Sequence, residues 1–270
     1  MMKNKVVVIT GASSGIGREV ARQLADQGHR VYDLSRSDKP QEGVRHIRCD
    51  VTDRDAIQQA IDTVKQEAGR IDTLLLCAGS GVAGALEFMT EEELQFQFDV
   101  NAFGPLRVAQ AALPIMRQQQ PLSGKERGRI IFISSMGAVF SLPYQGLYSA
   151  TKMAVNGMAY AMRNEVHPFD ISVTSILPGD VKTGFTAARR KNFTGKEIYT
   201  HMDGAFEAMA SDEINGSMPD VIAKKIVKIV NKKSVGMYYT LDWLSLGEYI
   251  LQKVAPHRFA LWVLRKMYRC

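Results

Sequence analysis

Apolar residues recur in two rhythms along this chain. Strand-like runs at 5–10, 30–34, 44–49, 71–77, 129–134 and 171–177 predict the short strands of a sheet covered on both faces. Between them, over 18–27, 53–68, 91–117 and 148–166, apolar positions return at the helical period, which predicts helices with one face turned to a core. Strand and helix alternating in this way make βαβ units. The expected fold is therefore α/β, a single-domain, doubly wound parallel sheet with helices on both faces. Right-handed crossovers would put a ligand outside the carboxyl ends of the strands, where strand order reverses. Ser217-Met218-Pro219-Asp220 opens a further helix, with Ser217 as its cap, that continues through 221–231, and 237–240 adds a last strand.

No linker or low-complexity tract divides the chain, so residues 1–270 are read as one domain. Two stretches depart from the alternation. Residues 184–216, with Arg189-Arg190-Lys191 and no strong period, are expected to form a mobile substrate lid. Residues 241–270 form an apolar helical tail with basic punctuation at Lys253, His257, Arg258, Arg265, Lys266 and Arg269.

With 270 residues and 46% hydrophobic content, the chain can bury a core without disulfides or metal. Its formal charge of +6 is modest, and no Lys/Arg block with interleaved aromatics appears, so nucleic acid is not an expected partner. The excess suits a phosphate-rich ligand. Cys49, Cys77 and Cys270 have no metal or redox spacing, which fits a reducing, cytoplasmic setting. No signal peptide precedes the first strand and no run is long and apolar enough to span a bilayer, so membrane contact is expected to be peripheral at most.

The first strand runs into Gly11-Ala12-Ser13-Ser14-Gly15-Ile16-Gly17 and then a helix. Gly11 permits the sharp turn, Gly15 lets a ligand approach the main chain, Gly17 allows helix to pack on strand, and the N–H groups of the helix start suit a pyrophosphate. The spacing departs from Gly-x-Gly-x-x-Gly and lacks the Lys-Ser/Thr ending of a P-loop. Farther on, Tyr148 and Lys152 stand four residues apart on a helix and so share a face, where a phenol and an ammonium can act as one acid. The plain alternative is an exposed helix pair.

Taken together, these motifs resemble the short-chain dehydrogenase/reductase (SDR) family, over roughly the first 185 residues. Thr10-Gly11-Ala12-Ser13-Ser14-Gly15-Ile16-Gly17 stands for the family's opening motif, Asp50-Val51 for its adenine side, and Tyr148 and Lys152 for its Tyr-x-x-x-Lys. The family's Asn-Ala-Gly is here Cys77-Ala78-Gly79, which removes an amide. Asn101 matches the helix asparagine, Ser135 the catalytic serine (with Ser134 as the neighbouring candidate), and Pro178-Gly179, followed by Val181 and Thr183, the nicotinamide side. The resemblance implies a Rossmann fold and hydride transfer between NAD(P) and a carbonyl or secondary alcohol. Tyr148 would be the proton donor, Ser135 would hold the substrate oxygen, and Lys152 would lower the phenol's pKa and bond the ribose. Asn101 would anchor a water leading to Lys152. As plain alternatives, Ser135 is a strand-end hydroxyl and Asn101 a helix-kink or cap residue. Homo-oligomers and a small-molecule substrate are expected, and no metal.

The end of the second strand bears on the cofactor. Ser35 and Arg36 stand where an acid would bind a ribose hydroxyl, and a guanidinium pairs well with a phosphate, so NADP(H) is favoured over NAD(H), with Ser13 or Ser35 assisting. Asp33, earlier on that strand, would repel the phosphate if the strand is short. The tail looks like those of hydroxysteroid and retinol dehydrogenase relatives, which suggests a steroid, retinoid or fatty-chain carbonyl. An interfacial helix on anionic lipid, a dimer contact and simple packing on the sheet are the other readings of the tail. Rival functions are an acyl-carrier-protein ketoreductase and a regulator that binds cofactor without turnover.

Overall fold

The computed structural model describes residues 4–268 apart from Asp38 and Ser123, so Arg269 and Cys270 of the tail lie outside the described residues. The first half runs β1 (Val6–Thr10), α1 (Gly15–Asp26), β2 (Arg30–Ser35), β3 (Val44–Arg48), α2 (Arg54–Ala68), β4 (Thr73–Leu76) and the short β5 (Val82–Ala83). It continues with α3 (Glu91–Phe98), α4 (Gly104–Gln118), β6 (Gly128–Ile133), α5 (Gly146–Glu165) and β7 (Ile171–Leu177). The remainder is α6 (Phe185–Ala188), β8 (Arg190–Lys191), α7 (Met202–Ile214), α8 (Pro219–Val230), β9 (Tyr238–Thr240), α9 (Trp243–Val254) and α10 (His257–Met267).

Seven strands form one parallel sheet in the order β3-β2-β1-β4-β6-β7-β9, with β5 and β8 paired separately. The chain winds outward from β1 to β3, then restarts at β4 on the other side of β1. That reversal opens a crevice at the carboxyl ends of β1 and β4. Alternation along β1 shows why both faces are covered. Val6 and Val8 enter a layer with Ile61 of α2, Val108 of α4 and Val155 of α5, whereas Val7 and Ile9 enter a layer with Leu24 of α1 and Ile226 of α8.

Two expectations are corrected here. The helix expected over 91–117 is broken by a wide π-turn at Asp99–Phe103 before α4 restarts at Gly104-Pro105. A Cβ at Gly104 would come 2.9 Å from Val51, so the restart is seated tightly on the loop after β3. Ser217 does not cap α8, which starts at Pro219 after Met218; its carbonyl instead accepts from Lys182 N–H, in a bridge to Val181. Proline at the first helical position gives up a donor that would be orphaned anyway. The 184–216 excursion also holds more order than its weak period suggests, because α7 buries Met202, Phe206 and Met209 in a small core of its own.

Arg129 joins the two halves of the structure. Its side chain is buried at the start of β6, with Nη2 on the Glu126 carboxylate (2.7 Å) and Nη1 donating to the carbonyls of Ile229 (2.7 Å) and Val230 (3.2 Å) at the end of α8. Replacing it takes the cation from Glu126 and the donor from the Ile229 carbonyl, while Val230 O keeps Lys5 Nζ (2.6 Å) and Glu126 keeps Ser172. Arg129→Met is expected to cost about 2–4 kcal/mol, read as a lower urea midpoint with an unchanged slope; an unmoved midpoint would contradict this role.

Candidate active site

The crevice is built first by backbone. Thr10 Oγ1, at the end of β1, accepts from the N–H groups of Cys77 (3.0 Å) and Ala78 (3.1 Å), tying β1 to the loop after β4. Gly11 turns at φ +73°, and a Cβ there would come 2.9 Å from Ala78 Cα, so this turn admits only glycine without a shift. A Cβ at Gly17 would lie 2.6 Å from the Gly11 carbonyl oxygen. Gly15 faces Thr183, whose methyl would stand 3.5 Å from a Cβ placed there. Ser14 is extended and its hydroxyl does not cap α1, Ser13 is half-buried beside it, and Ile16 packs on the core. A side-chain-free cradle at an uncapped helix N-terminus fits a pyrophosphate.

Asp33 has a structural task. It is buried, accepts from Ala12 N–H (2.9 Å) and Ser35 Oγ (2.8 Å), and faces His46 Nδ1 at 3.1 Å. Its charge thus braces the glycine loop, and the Ser35 hydroxyl is committed to it. Arg36 stands in solvent: its side chain is 71% exposed and lies 3.9 Å from the Asp50 carboxylate. Asp50 also accepts from Thr52 N–H (2.9 Å) and Oγ1 (2.8 Å), while Val51 is buried under Gly104.

The chemistry-bearing side chains meet beyond β4 and β6. Asn101 is fully buried in the π-turn; its Oδ1 accepts from Ser80 N–H (2.8 Å), and its Nδ2 donates to Ser80 O (2.9 Å) and to Thr151 Oγ1 (3.2 Å). Its Oδ1 and Lys152 Nζ both lie against Gly79, within 3.5 and 3.8 Å of where a Cβ would stand. Lys152 is buried, its Nζ donating to Ile133 O (2.9 Å) and standing 5.7 Å from the centre of the Tyr148 ring. Ser135 follows β6, with Oγ accepting from Gly137 N–H (2.9 Å). Ser134 turns away and donates to Lys152 O (3.3 Å). A Cβ at Gly137 would sit 3.3 Å from both Ser135 Oγ and Tyr148 Cε1, so the absence of a side chain there keeps the two hydroxyl-bearing residues together. On the far rim, the Pro178 carbonyl accepts from Met136 N–H (2.9 Å), Gly179 abuts Ser245 of α9, and Val181 packs in the α8 layer.

The electrostatics differ from the expected balance. Burial pushes Tyr148 up to about 12, against a hydrogen bond from Ser135 and the charge of Arg189, which both pull it down. Burial also draws the Lys152 ammonium down, to about 8. Desolvation outweighs the charge contacts in both groups. The Cys77 thiol is likewise pushed up by burial, to about 11.

Several neighbours escaped the motif reading. The Phe185 ring packs on Tyr148 (5.7 Å between centres), and the Arg189 guanidinium lies over Phe185 (5.4 Å) while pairing with Glu213 of α7, which also accepts from Thr186. Burial raises the nearby Asp180 to about 6. Gln97 holds the loop before β5, accepting from Val82 N–H (2.6 Å) and donating to Ser80 O (2.8 Å). The available signals were spacings of four: Phe185 to Arg189, and Gln97 to Asn101 on one helix face.

Comparison with known proteins agrees with this construction. The family model described as short chain dehydrogenase matches residues 5–193. A 3-ketodihydrosphingosine reductase of Bacteroides thetaiotaomicron is 41% identical over 239 residues, covering 86% of each chain. The 3-oxoacyl-[acyl-carrier-protein] reductase MabA of Mycobacterium bovis is 32% identical over 185 residues, 68% of this chain and 72% of that one. The crystal structure of a short-chain dehydrogenase from Streptomyces avermitilis superposes with a TM-score of 0.82 at 27% identity, covering 99% of this chain and 98% of the other. With its parallel sheet, glycine cradle and Ser135, Tyr148 and Lys152 gathered at one mouth, the chain belongs to the short-chain dehydrogenase family of oxidoreductases.

Proposed function

We propose that this enzyme is an NADP(H)-dependent reductase of a 3-oxo group on a long apolar chain. The observation that carries the reading is the meeting of Ser135 and Tyr148 across Gly137, with Lys152 behind them at the mouth of the glycine cradle. The bound dinucleotide supplies the hydride. Gly11, Gly15, Gly17 and the start of α1 would hold its pyrophosphate, and Asp50, Val51, Ala78 and Gly79 flank the path to the site. Ser135 Oγ holds the ketone oxygen and steadies the negative charge that develops on it. Tyr148 then gives its proton to that oxygen. A phenol held near 12 stays protonated throughout the neutral range, the form in which it can donate to the ketone oxygen. Lys152 keeps a positive charge behind the phenolate formed by that transfer, and the buried Asn101 fixes the Ser80 backbone and Thr151 around it.

The substrate class is supported from two sides. The Bacteroides relative is named for a 3-keto long-chain base, and MabA for 3-oxoacyl groups. Aromatic rings gather on this side of the molecule: Phe185 packs on Tyr148 (5.7 Å), and Phe206 packs on both Tyr144 (6.2 Å) and Phe193 (5.5 Å). A panel of 3-oxo long-chain amines, 3-oxoacyl thioesters and steroid ketones, followed at the NADPH absorbance, tests the class, with the first group expected to turn over fastest. Tyr148→Phe should lower kcat by about 100-fold or more while NADPH binding stays within a factor of two to three of the parent; retained turnover would refute the assignment. The exposed Arg36 supports the NADP preference. Arg36→Ala is expected to weaken NADPH binding by about 10-fold or more with little effect on NADH, and equal loss for both would refute it.

A further inference from the structure

The last two helices are turned the wrong way round for water. In α9 the positions packed toward the protein are Ser245, Glu248, Tyr249 and Gln252, while Trp243, Leu244, Leu246, Ile250, Leu251 and Val254 form one contiguous face in solvent, Trp243 at 84% and Val254 at 75% exposure. In α10, Phe259, Leu261, Trp262 and Met267 are also exposed, with Phe259 stacked on Trp262 at 6.1 Å. These helices are fixed to the body. Asp242 caps α9 by accepting from Ser245 N–H (2.7 Å), and Tyr268, after α10, is buried against Phe206 and Met209 of α7. An apolar face of this extent on an anchored element calls for an apolar partner.

Charge decides which partner. From residue 249 onward the sequence carries Lys253, Arg258, Arg265, Lys266 and Arg269 and no Asp or Glu, five cations in a chain whose net charge is +6. A second copy laid face to face would set these cations against their own kind. An anionic lipid surface satisfies the greasy face and the cations together, with aromatic rings at the headgroup level. Among the described residues no helix is long and apolar enough to cross a membrane, so the helices would lie in the interface.

We propose that α9 and α10 form a docking face for an anionic bilayer. The face adjoins the site: Gly179 abuts Ser245 of α9, and Tyr268 rests on the helix whose Glu213 pairs with Arg189. A docked enzyme would therefore present its mouth beside lipid. This proposal is read without turnover and stands apart from the substrate assignment.

Trp243 and Trp262 are the chain's two tryptophans, so intrinsic fluorescence reports on this face alone. The full chain is titrated with vesicles of phosphatidylcholine and of phosphatidylcholine with phosphatidylglycerol, reading emission and co-flotation. A blue shift and flotation are expected with the anionic vesicles, about 10-fold weaker on phosphatidylcholine alone and weakened by salt. Leu246→Ser with Ile250→Ser should lower binding by about 10-fold. Arg258→Glu with Lys266→Glu should remove the anionic preference, and neither pair should alter turnover of a water-soluble ketone. Absence of a shift with either vesicle, equal affinity for both, or a stable dimer by light scattering that the serine pair splits without any lipid binding would each overturn the proposal.

Discussion

The structure turns on one ammonium group kept out of water. Lys152 Nζ has the Ile133 carbonyl as its hydrogen-bond acceptor at 2.9 Å, and burial draws its pKa to about 8, low for a lysine yet high enough to leave the charge in place at neutral pH. A buried cation is costly, and the surroundings hold it by several elements at once. β6 supplies the carbonyl, Ser134 bonds the Lys152 backbone, and Asn101 reaches Thr151 on the same helix from inside a π-turn. Gly79 leaves the space in which Asn101 and Lys152 approach.

The balance at Tyr148 follows from the same desolvation. A helical spacing of four suggested a phenol made acidic by its neighbour, but burial acts on both groups and leaves the phenol near 12. Arg189, held by Glu213, is the cation that pulls the phenol downward. The 184–216 excursion therefore touches the site: through Phe185 and Arg189 it sets the surroundings of the acid.

Much of the fold was legible because buried strands such as β1 and β6 leave runs rich in aliphatic residues and the crossover helices leave a helical period. The glycine turn could be read because Gly11 and Gly17 meet backbone at 2.9 and 2.6 Å, where no side chain fits. The π-turn at Asn101 was hidden, since it inserts residues into a helix without breaking the apolar rhythm on either side. Asp33 read as a threat to a phosphate because its three partners, Ala12, Ser35 and His46, come from separate segments that only tertiary structure unites. The lid core was missed for a similar reason: α7 pairs with Tyr268 from the far end of the chain. The tail's apolar character was plain in sequence, but the outward direction of its greasy face depends on how the helices are docked.

The central claim is that burial holds the Tyr148 phenol in its neutral form, with Ser135 and Arg189 pulling against it. The direct measurement is a 13C NMR titration of ring-labelled tyrosine, with Tyr148→Phe identifying the resonance. The phenol should titrate well above the ordinary value of about 10, near 12. A phenol that titrates at or below the ordinary tyrosine value would contradict the account.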